Sequence, residues 1–455
     1  MDAVGQPQRA LQVARGSHTR SIAALRDVVR IRSLTGEEGN AQRHIAGLLR
    51  AIGAEATVAE PDVAAMFRKF PRIAQYPTHW QHDLILPYTE LPTYEALTAS
   101  GLQAVLNYTD RPNVTGVVRG TGGGRSLILN GHIDTVTIEP AKEWTRDPFG
   151  AEIVDGAMYG RGTSDMKGGV MAALMALTYL AETGKRPRGD VIFQCVVNEE
   201  HAGNGTLDLV VRGQRADAAI VLEPTSNTIA VSHPGGLYWQ ITLSGVPRSP
   251  GARWRGREQD GVSAIEKLPR VIDALLALEK EHNSRGADGG AAAFALTIGR
   301  ISGGHYETVT AGEVVMKGGA YFAPSAGDVT SIMDGFRRAV VAANASDPYL
   351  RAHPARLEFL HHDDSTQQRA DIAIARSMGA VLARRGSDGR AHEGAFCCDM
   401  RHLVNQGGIP AIIFGPGTIA QAHKPDEHIV LKDYLDAIEH LIELIWDWCN
   451  EEKET

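Results

Sequence analysis

No apolar run in the chain approaches the ~20 residues that cross a bilayer, so no membrane partner is expected. There is no basic excess either: 46 Lys and Arg stand against 54 Asp and Glu, a formal net charge of −8. Nucleic-acid binders carry a basic footprint, so a nucleic-acid partner is not expected. Cysteine is scarce, with four in 455 residues. Cys195 lies inside an apolar run, and Cys397 and Cys398 are adjacent. Neither arrangement makes a disulfide framework or a C-x-x-C metal knuckle, which favours reduced thiols in a cytoplasmic protein. The opening MDAVGQPQRALQVARGSHTR lacks the apolar stretch of a secretory signal, in keeping with that expectation. What remains is ordinary for a globular chain, at 43% hydrophobic and 22% charged residues. The length exceeds one ordinary domain, and two or three are expected.

Periodicity divides the chain. Ser21 to Ile52 reads as an amphipathic helix, the loop SLTGEEG and a second helix. From Glu60 to Asn107 no period is sustained, and the Pro- and aromatic-rich stretch reads as a long excursion beside a substrate site or an oligomer contact. Its HWQH holds His79 and His82, which read as a surface pair and not as metal ligands. From Asn113 short β-rich runs alternate with helical ones: NVTGVVRG, RSLILNGHID, the helix GGVMAALMALTYLAETG closed by Gly184, DVIFQCVVNEE and ADAAIVLEPT. That alternation predicts an α/β domain with a mostly parallel central sheet and helices on both faces. From Leu237 the pattern becomes β-α-β-β-α-β, a smaller α+β unit, before DIAIARSMGAVLARR, PAIIFGPG and YLDAIEHLIELIWDWC return to the first pattern. The expected division is residues 1–236 and 363–455 in one domain, interrupted by 237–362.

The chemistry gathers at predicted strand ends. VVNEEHAGNGT ends an apolar run in adjacent carboxylates, Glu199 and Glu200, with no Lys or Arg beside them. Alone, such a pair is a solvated loop. Other strands, however, end in the same residue types: LILNGHID in His132 and Asp134, and AAIVLEPT in Glu223. PAIIFGPG leads to the loop of His423, and GRGTSDMKGG sets Asp165 before a helix. In open α/β sheets ligands bind beyond the carboxyl ends of the strands, so these residues share one edge. Two imidazoles among carboxylates suit zinc, or cobalt or manganese, better than calcium or magnesium. Two metals ~3.5–4 Å apart need a bridging carboxylate. Asp134, on the strand face of His132, can fix the imidazole tautomer. One carboxylate of the Glu pair can then be a ligand and the other a proton acceptor.

GHIDTV, GRGTSDMKGG, NEEHAGNGT, LEPT and AHKPDEHI, in this order, resemble the M20 metallopeptidases, and CCDMRHLVNQGGIPAIIFGPG resembles the acetylornithine deacetylase and succinyl-diaminopimelate desuccinylase branch. The resemblance implies two divalent ions: one on His132, Asp165 and Glu223, the other on Asp165, Glu200 and His423, with Asp165 bridging. It implies Glu199 as general base, Asp134 as the residue orienting His132, and a cis peptide at Asp165–Met166. It also implies that the inserted unit is a lid and dimerisation domain, making the protein a homodimer.

The lid departs from the family pattern. Ser249 stands where a His is usual, Thr308 stands where an Asn is usual, and GGAYFAP lacks the usual Arg for a substrate carboxylate. Arg248, Arg253 and His305 lie nearby as substitutes. The function expected is therefore a two-metal hydrolase cleaving a C–N amide bond of a small molecule, deacylase-like but with an atypical substrate. The alternatives are a dipeptidase or carboxypeptidase on short peptides, and a metal-bearing non-hydrolytic or binding protein on the same fold. Glu199 argues against the last, because a binding protein has no use for a general base.

Overall fold

A computed structural model describes residues 6–81, 86–250, 261–285 and 293–453. The chain forms two compact units. The larger comprises Met1–Leu84, Pro92–Ser232 and Gln367–Thr455; the smaller comprises Ile85–Leu91 and His233–Thr366.

In the larger unit eight strands form one sheet in the order Glu55–Ala59, Asn113–Val118, Val191–Val196, Leu127–His132, Ala218–Val221, Ala411–Ile413, Ile229–Ala230 and Ala391–His392. The four strands from Val191–Val196 to Ala411–Ile413 run parallel to one another. Leu127–His132, near the middle, is buried along its whole length, as a strand covered on both faces must be. This is the α/β architecture that the alternating pattern predicts.

Helices cover the sheet. Gly168–Glu182 is buried over most of its length because apolar residues surround it on every side. Leu431–Asn450 packs on it with an apolar stripe in which Ile438, Leu441, Ile442 and Ile445 are at most 1% exposed. Burial of each contributes roughly 1.5–3 kcal/mol. The sequence pattern assigns no element before Ser21, yet Gln6–Gly16 is helical and buries Ala10, Leu11 and Ala14 in the same core.

Gly169 lets this layer come close. A Cβ there would lie 1.9 Å from the carbonyl oxygen of Leu222, at the end of a central strand. Only glycine permits that approach, which fixes the start of the helix beside the residue preceding Glu223.

The smaller unit is an antiparallel sheet in the order Phe294–Gly303, Glu313–Phe322, Gly235–Ser244 and Arg356–Asp363. Leu268–Arg285 and Val329–Ser346 pack on it around Trp239, Phe294, Phe336 and Phe359. Part of the unassigned excursion joins this core. Tyr88 bridges to Phe359, and its hydroxyl meets His362 Nδ1 at 2.6 Å. Among the described residues no helix is long and apolar enough to cross a membrane.

Candidate metal centre

The parallel strands bring their carboxyl ends to one edge of the larger unit, and the side chains expected there converge. His132 closes its strand, Glu223 lies two residues past Val221, and His423 two residues past the short turn Ile419–Gln421. Asp165 precedes the helix Gly168–Glu182, and the Asp165–Met166 peptide is cis. Glu199 and Glu200 are placed differently from the expected strand end. The strand stops at Val196, and both carboxylates sit in the turn that follows. Turn geometry, not strand alternation, therefore separates them.

Asp165 occupies the middle. Its Oδ1 lies 3.1 Å from His132 Nε2 and its Oδ2 lies 3.4 Å from His423 Nε2. Around His132 Nε2 stand Glu223 Oε1 at 3.6 Å and Glu199 Oε2 at 3.7 Å. On the other side Glu200 Oε2 is 2.9 Å from His423 Nε2. Among the described residues, two sets of side chains could each hold a metal ion: His132 with Glu199 and Glu223, and His132 with Asp165 and Glu200. His132, Asp165 and Glu223 are buried, whereas the His423 side chain is 56% exposed.

So many acids in a buried space alter one another. Burial works against a charge on His132, yet the carboxylates of Asp165, Glu223 and Glu199 hold its pKa well above the usual imidazole range. The Glu200 carboxylate raises His423 to about 11. Burial opposes ionisation of Asp165 too, but hydrogen bonds to both imidazoles hold it below the usual carboxylate range. Glu199 and Glu223 are pushed well above that range, first by burial. A positive charge in this space relieves all of these acids together.

Asp134 is buried in the site but does not hold His132 as expected. His132 Nδ1 donates to the backbone carbonyl of Asp134 at 2.9 Å, while the carboxylate Oδ1 is 3.7 Å away. The carboxylate instead accepts the backbone N–H groups of Glu199 at 3.1 Å and Glu200 at 3.3 Å, and the Thr35 hydroxyl at 2.9 Å. Thr35 belongs to the SLTGEEG loop, which is zipped to the strand end by Thr35 N to Thr135 O and Thr135 N to Ser33 O, both 3.0 Å.

The sequence reading also missed Asn198, a buried residue beside Glu199 with a left-handed backbone at φ 63°. Its Oδ1 accepts the Tyr108 hydroxyl at 2.7 Å and Thr78 N at 3.3 Å, and its Nδ2 donates to Thr78 Oγ1 at 2.7 Å. Asn204 grips the backbone of Gln75, Arg111 Nη1 donates to Thr78 O at 2.9 Å, and Trp80 N donates to Thr35 O at 2.8 Å. Residues 75–80 of the excursion are thus fastened to the turn that carries Glu199 and Glu200. An Asn at positive φ is the one sequence signal available, and it is visible only once the backbone is known. His79 stacks on Trp80 and belongs to neither donor set found among the described residues, and His82 lies outside the described residues.

In the smaller unit Ser249, His305 and Thr308 are exposed. Pro250, His305 and Thr308 line a cleft of about 650 Å³. The Arg248 guanidinium donates to the adjacent Pro247 carbonyl at 2.8 Å. Arg253 lies outside the described residues.

Comparison with known proteins gives the family and the fold. Residues 128–447 match the family described as "Peptidase family M20/M25/M40". The chain is 30% identical over 362 residues to N-formyl-4-amino-5-aminomethyl-2-methylpyrimidine deformylase of Halalkalibacterium halodurans, covering 75% of this chain and 84% of that one. Its fold is similar to the Saccharomyces cerevisiae dipeptidase Dug1p, with TM-score 0.71 at 12% identity over 100% of both chains. It is also similar to the Bacillus subtilis YXEP protein, titled a dinuclear metal binding peptidase, with TM-score 0.59 at 16% identity over 96% of this chain and 99% of that one. By both the family match and the length of the deformylase alignment, the chain belongs to the M20/M25/M40 peptidase family of hydrolases.

Proposed function

We propose that the chain is a two-metal amidohydrolase that removes a small acyl group, of the formyl class, from the amine nitrogen of a small molecule without an α-carboxylate. One observation carries the metal reading: Asp165 turns one oxygen toward each of two imidazoles. On this reading His132 and Glu223 would hold one ion, His423 and Glu200 the other, and Asp165 would serve both. Imidazole and carboxylate donors fit zinc, cobalt or manganese. Bound there, two such cations supply Lewis acidity to the amide carbonyl and acidify the attacking water.

The chain's own groups do the rest. Glu199 is the acid of the pair left over for proton transfer. It takes a proton from the attacking water, the water oxygen bonds to the acyl carbon, the C–N bond breaks to release the acyl group as its carboxylic acid, and the same proton goes to the leaving amine. Burial pushes the Glu199 pKa up, and bound cations would offset that shift and keep it ionised to accept a proton. Asp134 and Asn198 hold the turn that carries it.

The substrate reading rests on the lid. Ser249 and Thr308 replace the expected His and Asn, and the strand Glu313–Phe322 carries no Arg. An α-carboxylate therefore lacks its usual partners, and the deformylase relative is named for a substrate without one. We further propose that the smaller unit is the lid and homodimer contact, and that the protein works in the cytoplasm with its four cysteines free.

The test is kcat/KM, with zinc, cobalt or manganese, on N-formylated aminomethyl heteroaromatics against N-acetylornithine, N-acetylmethionine and simple dipeptides. Values near 10⁴ M⁻¹s⁻¹ or above are expected for the formyl amides, within the ordinary enzyme range. The amino-acid substrates should be at least ~100-fold poorer, because their α-carboxylate is left without its usual hydrogen-bond partners. Comparable turnover of N-acetylornithine would overturn the substrate reading and leave the metal reading intact.

A further inference from the structure

Glu427 lies four residues beyond His423 and is fully buried beside Arg161, itself 2% exposed. Its Oε1 accepts the backbone N–H of Ser164 at 2.9 Å and of Asp165 at 3.1 Å. Its Oε2 accepts Gly162 N at 2.9 Å and Arg161 Nη1 at 2.7 Å. The backbone carbonyl of Glu427 takes a fifth donor, Gly160 N, at 2.8 Å. One residue on the His423 loop thus gathers the amides of the segment that ends in Asp165.

We infer that Glu427 is a positioning residue that locks the Asp165 segment to the His423 loop, and so sets the spacing between the two halves of the proposed metal centre. The inference rests on the ligand roles proposed for Asp165 and His423. A buried ion pair alone is weak evidence for any role, since apolar residues often replace one at little cost. Here, three of the four donors on the carboxylate are backbone amides, which no apolar side chain could satisfy. Ser164 adds a second tie between the same loops: its hydroxyl donates to Thr418 O at 3.1 Å and accepts Thr418 N at 3.0 Å.

Glutamine has nearly the shape of glutamate but cannot do this work. All four contacts are donors, so both carboxylate oxygens must accept. An amide offers one accepting oxygen and one NH₂ that can only donate. Either the Ser164–Asp165 pair or the Gly162–Arg161 pair must come apart.

The experiment compares metal-free parent, Glu427→Gln and Arg161→Met by competitive titration with zinc and a chromogenic chelator, alongside thermal unfolding of each metal-free protein. Both substitutions break the buried pair, but Arg161→Met leaves Oε1 on Ser164 and Asp165. The expected result is a loss of zinc affinity of about 10–100-fold for Glu427→Gln, the usual range for residues that orient ligands. Arg161→Met should lose less than about a third of that at a similar fall in Tm. The d–d absorption of the cobalt-loaded protein should change for Glu427→Gln and hold for Arg161→Met. If the two variants lose affinity equally at equal loss of Tm, Glu427 is structural only and the inference falls. If the parent itself binds no zinc, the ligand roles fall first and this inference with them. Should neither variant fold, hydrogen exchange on the metal-free parent decides: slow exchange at Gly162, Ser164 and Asp165 supports the lock, and fast exchange overturns it.

Discussion

His132 donates its Nδ1 proton to the backbone carbonyl of Asp134 at 2.9 Å. A carbonyl can only accept, so Nδ1 carries the hydrogen and Nε2 faces Asp165. The tautomer that suits a metal ligand is thus set by main chain, and the Asp134 carboxylate is released to hold the Glu199–Glu200 turn.

Asp134→Asn tests that division of labour. The amide keeps one accepting oxygen where three donors converge, so at least one hydrogen bond to Thr35, Glu199 or Glu200 is lost. Metal affinity or turnover should fall by about 10–100-fold. Thr35→Val removes a single donor and should cost less than about tenfold. Asparagine activity within twofold of the parent would contradict a role for the carboxylate.

The adjacent acids should separate cleanly. Glu199→Gln is expected to keep its metal and lose on the order of 10²-fold or more in kcat, the contribution of an acid–base group. Glu200→Gln should weaken metal binding first, because Glu200 stands 2.9 Å from His423. Metal titration beside steady-state kinetics reads both, and equal metal loss from the two variants would reverse the assignment.

The departures of the smaller unit from the family pattern can be undone one at a time. Ser249 is exposed and can accept a larger side chain. An oxyanion donor contributes about 2.7–4 kcal/mol where one has been removed from a hydrolase. Ser249→His should therefore raise kcat/KM on N-acetylornithine by at least about tenfold, with the formyl substrates little changed. No gain on N-acetylornithine would show that the missing imidazole is not the limiting feature.

Acid stability should depend on His440, far from the centre. It is 8% exposed and packs edge-on against Phe414, and its Nδ1 has no hydrogen-bond partner among the described residues. Burial, then the charge of Arg385, lowers its pKa to about 4. The unfolded chain binds this proton near pH 6.5 and the folded one only near 4. The neutral ring's contribution is thus complete above about 6.5 and is lost as pH falls toward 4, on the order of 3 kcal/mol in all. Urea unfolding at pH 7.5 and 5 should show the parent losing about 2 kcal/mol more than His440→Leu. Parallel losses in the two proteins would refute the linkage.

The sequence shows the site better than its supports. His132, Glu223 and His423 are legible because hydrophobic runs end beside them, and a sheet's carboxyl edge is where such runs deliver ligands. The position of the Glu pair is not legible, because the strand closes at Val196 and the turn is shaped by Asn198. The hydrogen bonds that Thr35 donates to Asp134 and that Glu427 accepts from Ser164 cross more than 95 residues of chain, and no local pattern announces them. The helix Gln6–Gly16 escaped because its buried face is mostly alanine, too small for a clear period.

Residues 75–80 have a conformation that is largely not their own. Asn204 holds Gln75 by its backbone N–H and carbonyl, Arg111 and Asn198 hold Thr78 by the same groups, and Thr35 holds Trp80 by its amide. Of these ties only the Thr78 hydroxyl belongs to a side chain. The path is therefore set by the receiving loops, while the side chains along it pack separately, Tyr76 against Phe67 and Trp80 under the Arg32 guanidinium. Relatives that keep the equivalents of Asn198, Asn204 and Arg111 could hold the same path with other side chains of matching bulk, and so present a wall of the same shape. Selection could then alter what the wall displays without touching the acids it is fastened to.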